Sequence, residues 1–324
     1  MSNQIARVRQ VGIAKEATKG TAVVPSFWVP VTKFNANPLV VTKRKDGAIG
    51  RVESNSGSEI VSKHCEPVME GYLTDKAAAL LFLFSLGAVN TGAASAGVYP
   101  HTLSVLNSNE HPSATLSFKD LNFSKQIPFS LSNSLSISAV VDDYVRFAAS
   151  FIGKFEADGT LTPSFYNTDN AFVGRHVSVK LADDIAGLGA ATAVAIQGAD
   201  LEITKNAQAV FGLGSVEPVA VRNGQLEVSG SITAVQNDST WRDLFTGNTK
   251  KAMQITIENT DVTIGSGSGH PKIVITLAQV NFNPYKEEDK LEDLIKETME
   301  FTAAFDLTAS KMIEVVVYNT TASY

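Results

Sequence analysis

The stretch FSLSNSLSISAV (129–140) sets Leu131, Leu135 and Ile137 among serines at even spacings. Alternation of this kind turns one face of an extended chain toward a core and the other toward water or a neighbour. The pattern recurs outward in both directions. SATLSFKD (113–120) puts Ala114, Leu116 and Phe118 on one face, and QLEVSGSITAV (225–235), KAMQITIEN (251–259), KIVITLAQVNF (272–282) and MIEVVVYN (312–319) behave alike. Val, Ile, Thr and Ser are the residues that half-buried pleated surfaces favour. The chain therefore reads as mainly β and mostly antiparallel. The residues that alternate with the apolar ones are Ser, Thr, Asn and Gln more than Lys and Glu. Such a face is polar and weakly charged, which suits a barrel lumen as well as ordinary exposure.

Two short helices interrupt the strands. In Asp75–Leu86, Thr74 caps, Leu80, Leu81 and Phe84 have helical spacing, and Gly87 stops the run. In Ser239–Phe245, Asp238 or Ser239 caps, Trp241, Leu244 and Phe245 form the apolar face, and Gly247 ends it. KEEDKLEDLIKETME (286–300) is a third helical candidate, with Leu291, Leu294, Ile295 and Met299 on one face and seven acids against three bases. A solvated surface is its simplest use; cation binding is the sharper alternative.

These pieces occur twice. Strands near 28–35 and 59–70 lead into the first helix, and strands near 99–106, 113–123, 126–140 and 143–153 follow it. Strands near 194–205 and 224–236 lead into the second, and strands near 251–263, 272–283, 298–309 and 312–319 follow. The expected organisation is an extended N-terminal arm (1–27), a first domain (28–155), a linker or insertion (156–190) and a second domain (191–324). Each domain would be a β-sandwich or barrel unit with one short flanking helix.

Composition narrows the function. Of 324 residues, 44% are hydrophobic and 19% charged, as in a chain that buries a core. The net charge of −6 argues against an outer surface that grips phosphates. It is uneven: residues 1–160 carry 15 basic and 13 acidic residues, and residues 161–324 carry 12 and 20. The single cysteine, Cys65, excludes an intrachain disulfide and a cysteine-based zinc site, and fits a reducing compartment. The opening MSNQIARVRQ lacks the apolar core of a secretion signal. The longest apolar run, AAALLFLFSL (77–86), is far below the ~20 residues that span a bilayer, so no membrane role is expected.

Catalytic, cofactor and metal sites are not legible; the expected site residues are none. His64, His101, His111, His176 and His270 stand at no metal-ligand spacing, and His101 and His111, each beside a proline, read as turn-edge residues. GSGSGH (265–270) lies between strand patterns and lacks the Lys-Ser/Thr of a phosphate loop, so it reads as a hairpin tip. KGT (19–21) resembles such a loop only in reverse order. Asp142-Asp143 and Asp183-Asp184 sit where Asp favours turns. There is no GxSxG, and Cys65 has no nucleophile context.

Three segments carry a family resemblance. VGIAKEATKGTAVVPSFWVPV (11–31) resembles the N-terminal signature of the major tail tube proteins of long-tailed bacteriophages, in which Gly…Lys-Glu…Gly-Thr precedes the first strand. HCEPVMEGYLTDKAAALLFLFSLGAV (64–89) is similar to that family's strand-into-helix segment, and YPHTLSVLNSNEHPSATLSF (99–118) to its next strand pair. The likeness covers most of the chain, best over 11–120, and is poor over 155–190. It implies a structural virion protein whose β-sandwich units form stacked rings, with inner strands joined around a barrel that conducts DNA. It also implies tape measure, tail terminator and baseplate proteins as partners, a place in the virion tail, and assembly in the host cytoplasm. Tubes of this kind have six tube domains per ring, so a doubled chain would close as a trimer with pseudo-sixfold symmetry. The segment 11–31 would then be extended because it packs on neighbouring subunits and not on its own core, and deleting residues 2–26 would leave a folded protein. Another virion ring component, such as a tail terminator or baseplate ring, is the nearest alternative. A carbohydrate-binding or cell-surface β-sandwich is a more distant one, since aromatics make up only 8%.

Overall fold

The computed structural model describes residues 6–53, 57–163, 169–288 and 294–324. The alternating segments are strands, and every ladder among them is antiparallel. The first half runs β1 (Gln10–Lys15), β2 (Phe27–Val29), β3 (Val31–Asn35), a hairpin of β4 (Pro38–Arg44) and β5 (Ser58–Cys65), then β6 (Val68–Tyr72) and α1 (Asp75–Leu86). It continues with β7 (Gly87–Thr91), β8 (Tyr99–Val105), β9 (Ala114–Lys119), β10 (Ser124–Val140), β11 (Arg146–Ile152) and β12 (Ala157–Asp158). The second half runs β13 (Val177–Ala182), β14 (Ala193–Val194), β15 (Gly198–Thr204), a hairpin of β16 (Gln208–Val210) and β17 (Ala220–Arg222), then β18 (Glu227–Val235) and α2 (Thr240–Thr246). It ends with β19 (Lys251–Glu258), β20 (Lys272–Glu288), β21 (Lys296–Ala304) and β22 (Ile313–Asn319).

The pairings of the two halves correspond. In the first, β1 pairs β2 and β9, β9 pairs β10, β10 pairs β11 and β12, and β6 pairs β11 and β3. In the second, β13 pairs β14 and β19, β19 pairs β20, β20 pairs β21 and β22, and β18 pairs β21 and β15. Strands β10 and β20 are each 17 residues long and bulged, and each serves two sets of partners along its length. The correspondence is shifted by one strand from the sequence expectation. β9, β10 and β11 match β19, β20 and β21; the β7–β8 hairpin has no counterpart; and the two-residue β12 stands where the second half has β22. Two ladders join the halves, β10 to β15 and β8 to β22.

Helix α1 is buried on all sides because its sequence, DKAAALLFLFSL, is apolar on all sides. The Thr74 hydroxyl accepts the Ala77 N–H, and Gly87 closes the helix at φ 100°, a left-handed conformation that glycine adopts without strain. Leu81 and Phe84 are core residues, and the helix packs against β10 and β8 of the first half and β22 of the second. The helix thus serves both halves rather than only its own. Helix α2 is short and lies against β20, with Trp241 and Leu244 buried and Trp241 edge-on to Phe282. Phe245, expected in the core, is half-buried and stacks on Tyr285.

Several expectations are corrected. The helix over 286–300 does not form at its ends, which are β20 to Glu288 and β21 from Lys296; residues 289–293 lie outside the described residues. Met299 fits a helical face, but it also alternates with Phe301 and Ala303, and cross-strand pairing with β18 and β20 decides between the two periods. Within 11–31, the two strands pack on the chain's own core, and the connection between them is largely exposed. β1 is hydrogen-bonded on both edges, and Val11 and Ile13 are fully buried. Gly12 is required there, since a Cβ at that position would lie 2.6 Å from the Pro25 ring. Within 156–190, read as linker, β13 is a full sheet member. His101 is no turn residue. It is buried in β8, where its imidazole bonds Thr91 Oγ1 at 2.9 Å and Asn319 Oδ1 at 3.1 Å, tying β8 to β22.

Candidate functional site

Eight strands follow one another in the order β3–β6–β11–β10–β15–β18–β21–β20, drawn equally from the two halves. Their register places side chains in rows across the sheet. One row reads Phe34, Met69, Ala149, Leu135, Ile203 and Val228, and it faces the core. The next row over, on the opposite face, reads Lys33, Glu70, Ala148, Ser136, Glu202, Ser229, Thr302 and Asn281. A parallel row reads Tyr72, Arg146, Ser138, Asp200, Ser231 and Glu300. Ser134, Ser136 and Ser138 of the opening stretch and Ser229 and Ser231 of β18 thus lie on one continuous hydroxyl-rich face, whereas Ser130 and Ser132, before the bulge in β10, are buried.

The charges on this face are mostly acidic, and its cations are occupied. Lys33 bonds Glu70, Arg146 bonds Asp143, and Lys286 bonds Glu300. Asp200 and Glu202 have only hydroxyl-bearing or backbone neighbours in their rows; Ser231 donates to Asp200 at 3.1 Å. Around these two residues the face is concave, with Ser136, Ser138, Ser229, Thr298 and Thr302 lining the hollow. A surface of hydroxyls and unneutralised carboxylates attracts water and repels polyanions.

Among the described residues the sheet does not close on itself. β15 is bonded by β10 on one edge and β18 on the other, whereas its counterpart β3 is bonded only by β6. The second part of β10 is bonded by β11 and β15, whereas the corresponding part of β20, Phe282–Glu288, is bonded only by β21. Among the described residues the eight-strand order therefore ends in two open edges. They are the two edges that the β10–β15 ladder would join if it were repeated once more.

The chemically suggestive residues are dispersed. Asp142 lies in the β10–β11 turn at φ 64°, and its neighbour Asp143 pairs with Arg146. Asp183 pairs with Lys251, and Asp184 accepts the Gly187 N–H. Cys65 is buried, and burial pushes its thiol up to about 11, away from nucleophile chemistry. GSGSGH lies at the tip of the β19–β20 connection, bridged from Ile264 to Gly269. Among the described residues, no three His, Cys, Asp or Glu side chains are grouped to hold a metal ion, and no helix is long and apolar enough to cross a membrane.

Glu16 and Lys205 are among the buried charges that escaped the sequence reading. The Glu16 carboxylate accepts from Gly20 N–H at 2.7 Å, Ser113 Oγ at 2.6 Å, Thr115 Oγ1 at 2.8 Å and Phe129 N–H at 2.8 Å. It is the organising centre of the KEATKGT segment. Lys205, 2% exposed, follows β15 and donates from Nζ to the Phe84 carbonyl at 2.8 Å, linking the second half to the end of α1. Burial pushes its ammonium down to about 7.

A sheet with one polar face, open complementary edges and dispersed reactive groups is the make-up of a component that joins copies of itself into a wall. Residues 6–303 match the family model for phage tail tube proteins, and the chain belongs to that family. It is a structural protein of a phage tail tube, a component of the virion tail that assembles with itself and with other tail proteins. No curated protein matches the chain.

Proposed function

We propose that the chain is the major tail tube protein of a non-contractile tail, that it polymerises as stacked rings of three chains, and that each chain supplies two tube domains, near 28–155 and 191–324. The observation that carries this reading is the open eight-strand sheet. The junction β10–β15 joins the two halves inside one chain, and β20 and β3 present the same two edges unpaired. Joining β20 of one chain to β3 of the next repeats that junction, and a head-to-tail contact closes a ring when its rotation divides the circle. The hydroxyl and carboxylate face becomes the wall of the DNA conduit. DNA carries a negative charge every ~1.7 Å of duplex axis, so a wall with unpaired Asp200 and Glu202 lets it slide without counterion-release binding. Tape measure, tail terminator and baseplate proteins are the tail partners in this reading, and assembly takes place in the host cytoplasm.

The test is electron microscopy of the purified full chain with the mass of an isolated ring. Tubes with three chains per ring are expected. Single molecules at all concentrations would overturn the reading, and six chains per ring would overturn its symmetry.

A further inference from the structure

Inside the chain, the second hairpin is seated on the first half. The Val216 carbonyl accepts the Lys63 N–H at 2.7 Å, Glu217 pairs with Lys63 at 3.2 Å, and Phe211 packs edge-on to His64. Lys63 in turn lies over the Phe155 ring, and Val221 of β17 closes a small core with Phe129 and Leu131 of β10. The seat thus consists of Lys63 and His64 at the end of β5, an aromatic just beyond β11, and β10. The second half has the corresponding place, made of Leu226 just before β18 and Phe305 just beyond β21. Here these two residues border an open groove of about 640 Å³, whose other walls, Val105, Met312 and Ile313, come from β8 and the start of β22, with Phe305 53% exposed.

The first hairpin, β4–β5, corresponds to the second and is longer. Among the described residues it is joined to the rest of the sheet only by the single bridge from Cys65 to Gly153 and by no ladder, and it exposes Val40, Val41, Ile60 and Val61. A two-stranded ribbon with bare aliphatic residues is marginal in water by itself, and contiguous exposed apolar residues mark contact surfaces. Among the described residues the groove has no occupant within the chain, and beyond Lys63 and His64 the aliphatic residues of the β4–β5 hairpin have no seat.

We infer that the groove at Leu226 and Phe305 is the seat of the β4–β5 hairpin of a second copy of this chain, as the first half seats β16–β17. The inference rests on the ring reading above and assigns the contact that latches neighbouring chains. It places aliphatic side chains of β4 and β5 over Phe305 and Met312. The unpaired edge of β3 is carried to β20 by the same movement, since β3 runs directly into the hairpin.

The experiment compares the wild-type chain with Phe305→Asp and Ile60→Asp, both at exposed positions, by melting transition and by mass in solution. Unchanged melting with a ring fraction reduced at least tenfold in each variant is expected. A ring of unchanged mass in both variants overturns the hairpin seat and leaves the tube reading standing. A wild-type chain that never forms rings overturns both. A double variant, Ile60→Cys with Phe305→Cys, keeps the question open to measurement if an aspartate variant fails to fold. Oxidised wild-type-like rings of it should give covalent multimers, and rings that stay uncrosslinked overturn the seat.

Discussion

The Glu16 carboxylate accepts the backbone N–H of Phe129, at the bulge where β9 gives way along the edge of β10 and where Phe129 itself takes φ 55°. One buried acid therefore holds the loop after β1, two hydroxyls near β9 and the strained residue of β10 in a single cluster. Glu16→Ala leaves these donors without their acceptor. Hydrogen bonds to a charged group contribute ~1.5–3 kcal/mol each, and orphaned buried donors add their desolvation penalty. A loss of about 3 kcal/mol or more in denaturant unfolding is expected, with Glu16→Gln intermediate; a variant as stable as wild type would contradict the role.

Deletion of residues 2–26 is expected to abolish folding, contrary to the expectation from sequence, because it removes β1 and with it Val11 and Ile13 from the core. Far-UV circular dichroism and solubility of the truncated chain check this.

Phe84 is fully buried in the last turn of α1. Phe84→Ala leaves a cavity among β10, β8 and β22, and truncations of this type cost about 3–5 kcal/mol. Calorimetric or denaturant unfolding should show a loss of that size.

Burial lowers the proton affinity of Lys205 to about 7 from 10.5, and that of His111 to about 4 from 6.5. Burial is the main cause for both, and Lys205 and Lys19 add repulsion at His111. For each group the unfolded chain binds more protons than the folded one between its two values, so stability rises with pH across that window. The penalty of the lysine is full below about 7 and relieved toward 10.5; that of the histidine is full below about 4 and absent above 6.5. Lys205→Met should therefore flatten the rise in unfolding free energy above neutral pH. An unchanged slope would show that the ammonium is not the titrating group.

Asp200→Lys with Glu202→Lys replaces the two acids of the concave face that lack a cationic partner. Tubes of this variant should bind duplex DNA with an affinity that falls steeply as salt rises, whereas wild-type tubes bind weakly at any salt. Equal binding by both would remove the face from the conduit.

The β class was legible because period two in FSLSNSLSISAV and its relatives is a local signal. The polar face was legible for the same reason, as the serines of β10 already stood together in the sequence. Helix α1 was legible from Thr74 and Gly87, whose roles are local too. What was hidden depends on distant partners. Met299 fits either period until β18 and β20 lie beside it. The strand nature of residues 10–15 depends on β9, more than a hundred positions away. The burial of Glu16 and Lys205 was hidden, because three of the four bonds to the carboxylate, and the single carbonyl partner of the ammonium, come from remote segments. The groove at Phe305 becomes meaningful only once the two halves are laid over each other ladder by ladder.

The β10–β15 junction lies within one polypeptide, and this changes the statistics of assembly. In a ring of three such chains every other junction forms at an effective concentration fixed by the tether and independent of how dilute the subunits are. Only the remaining junctions carry the translational and rotational entropy loss of bringing free bodies together. The tether also frees the two halves to diverge. The first carries β7–β8 and the longer hairpin, and the second ends in a seven-residue strand that pairs with β8. A ring of identical single-domain chains would show the same outer surface at each of six positions. A ring of doubled chains shows two surfaces in alternation, so a partner that grips the outside would find three places to hold, not six.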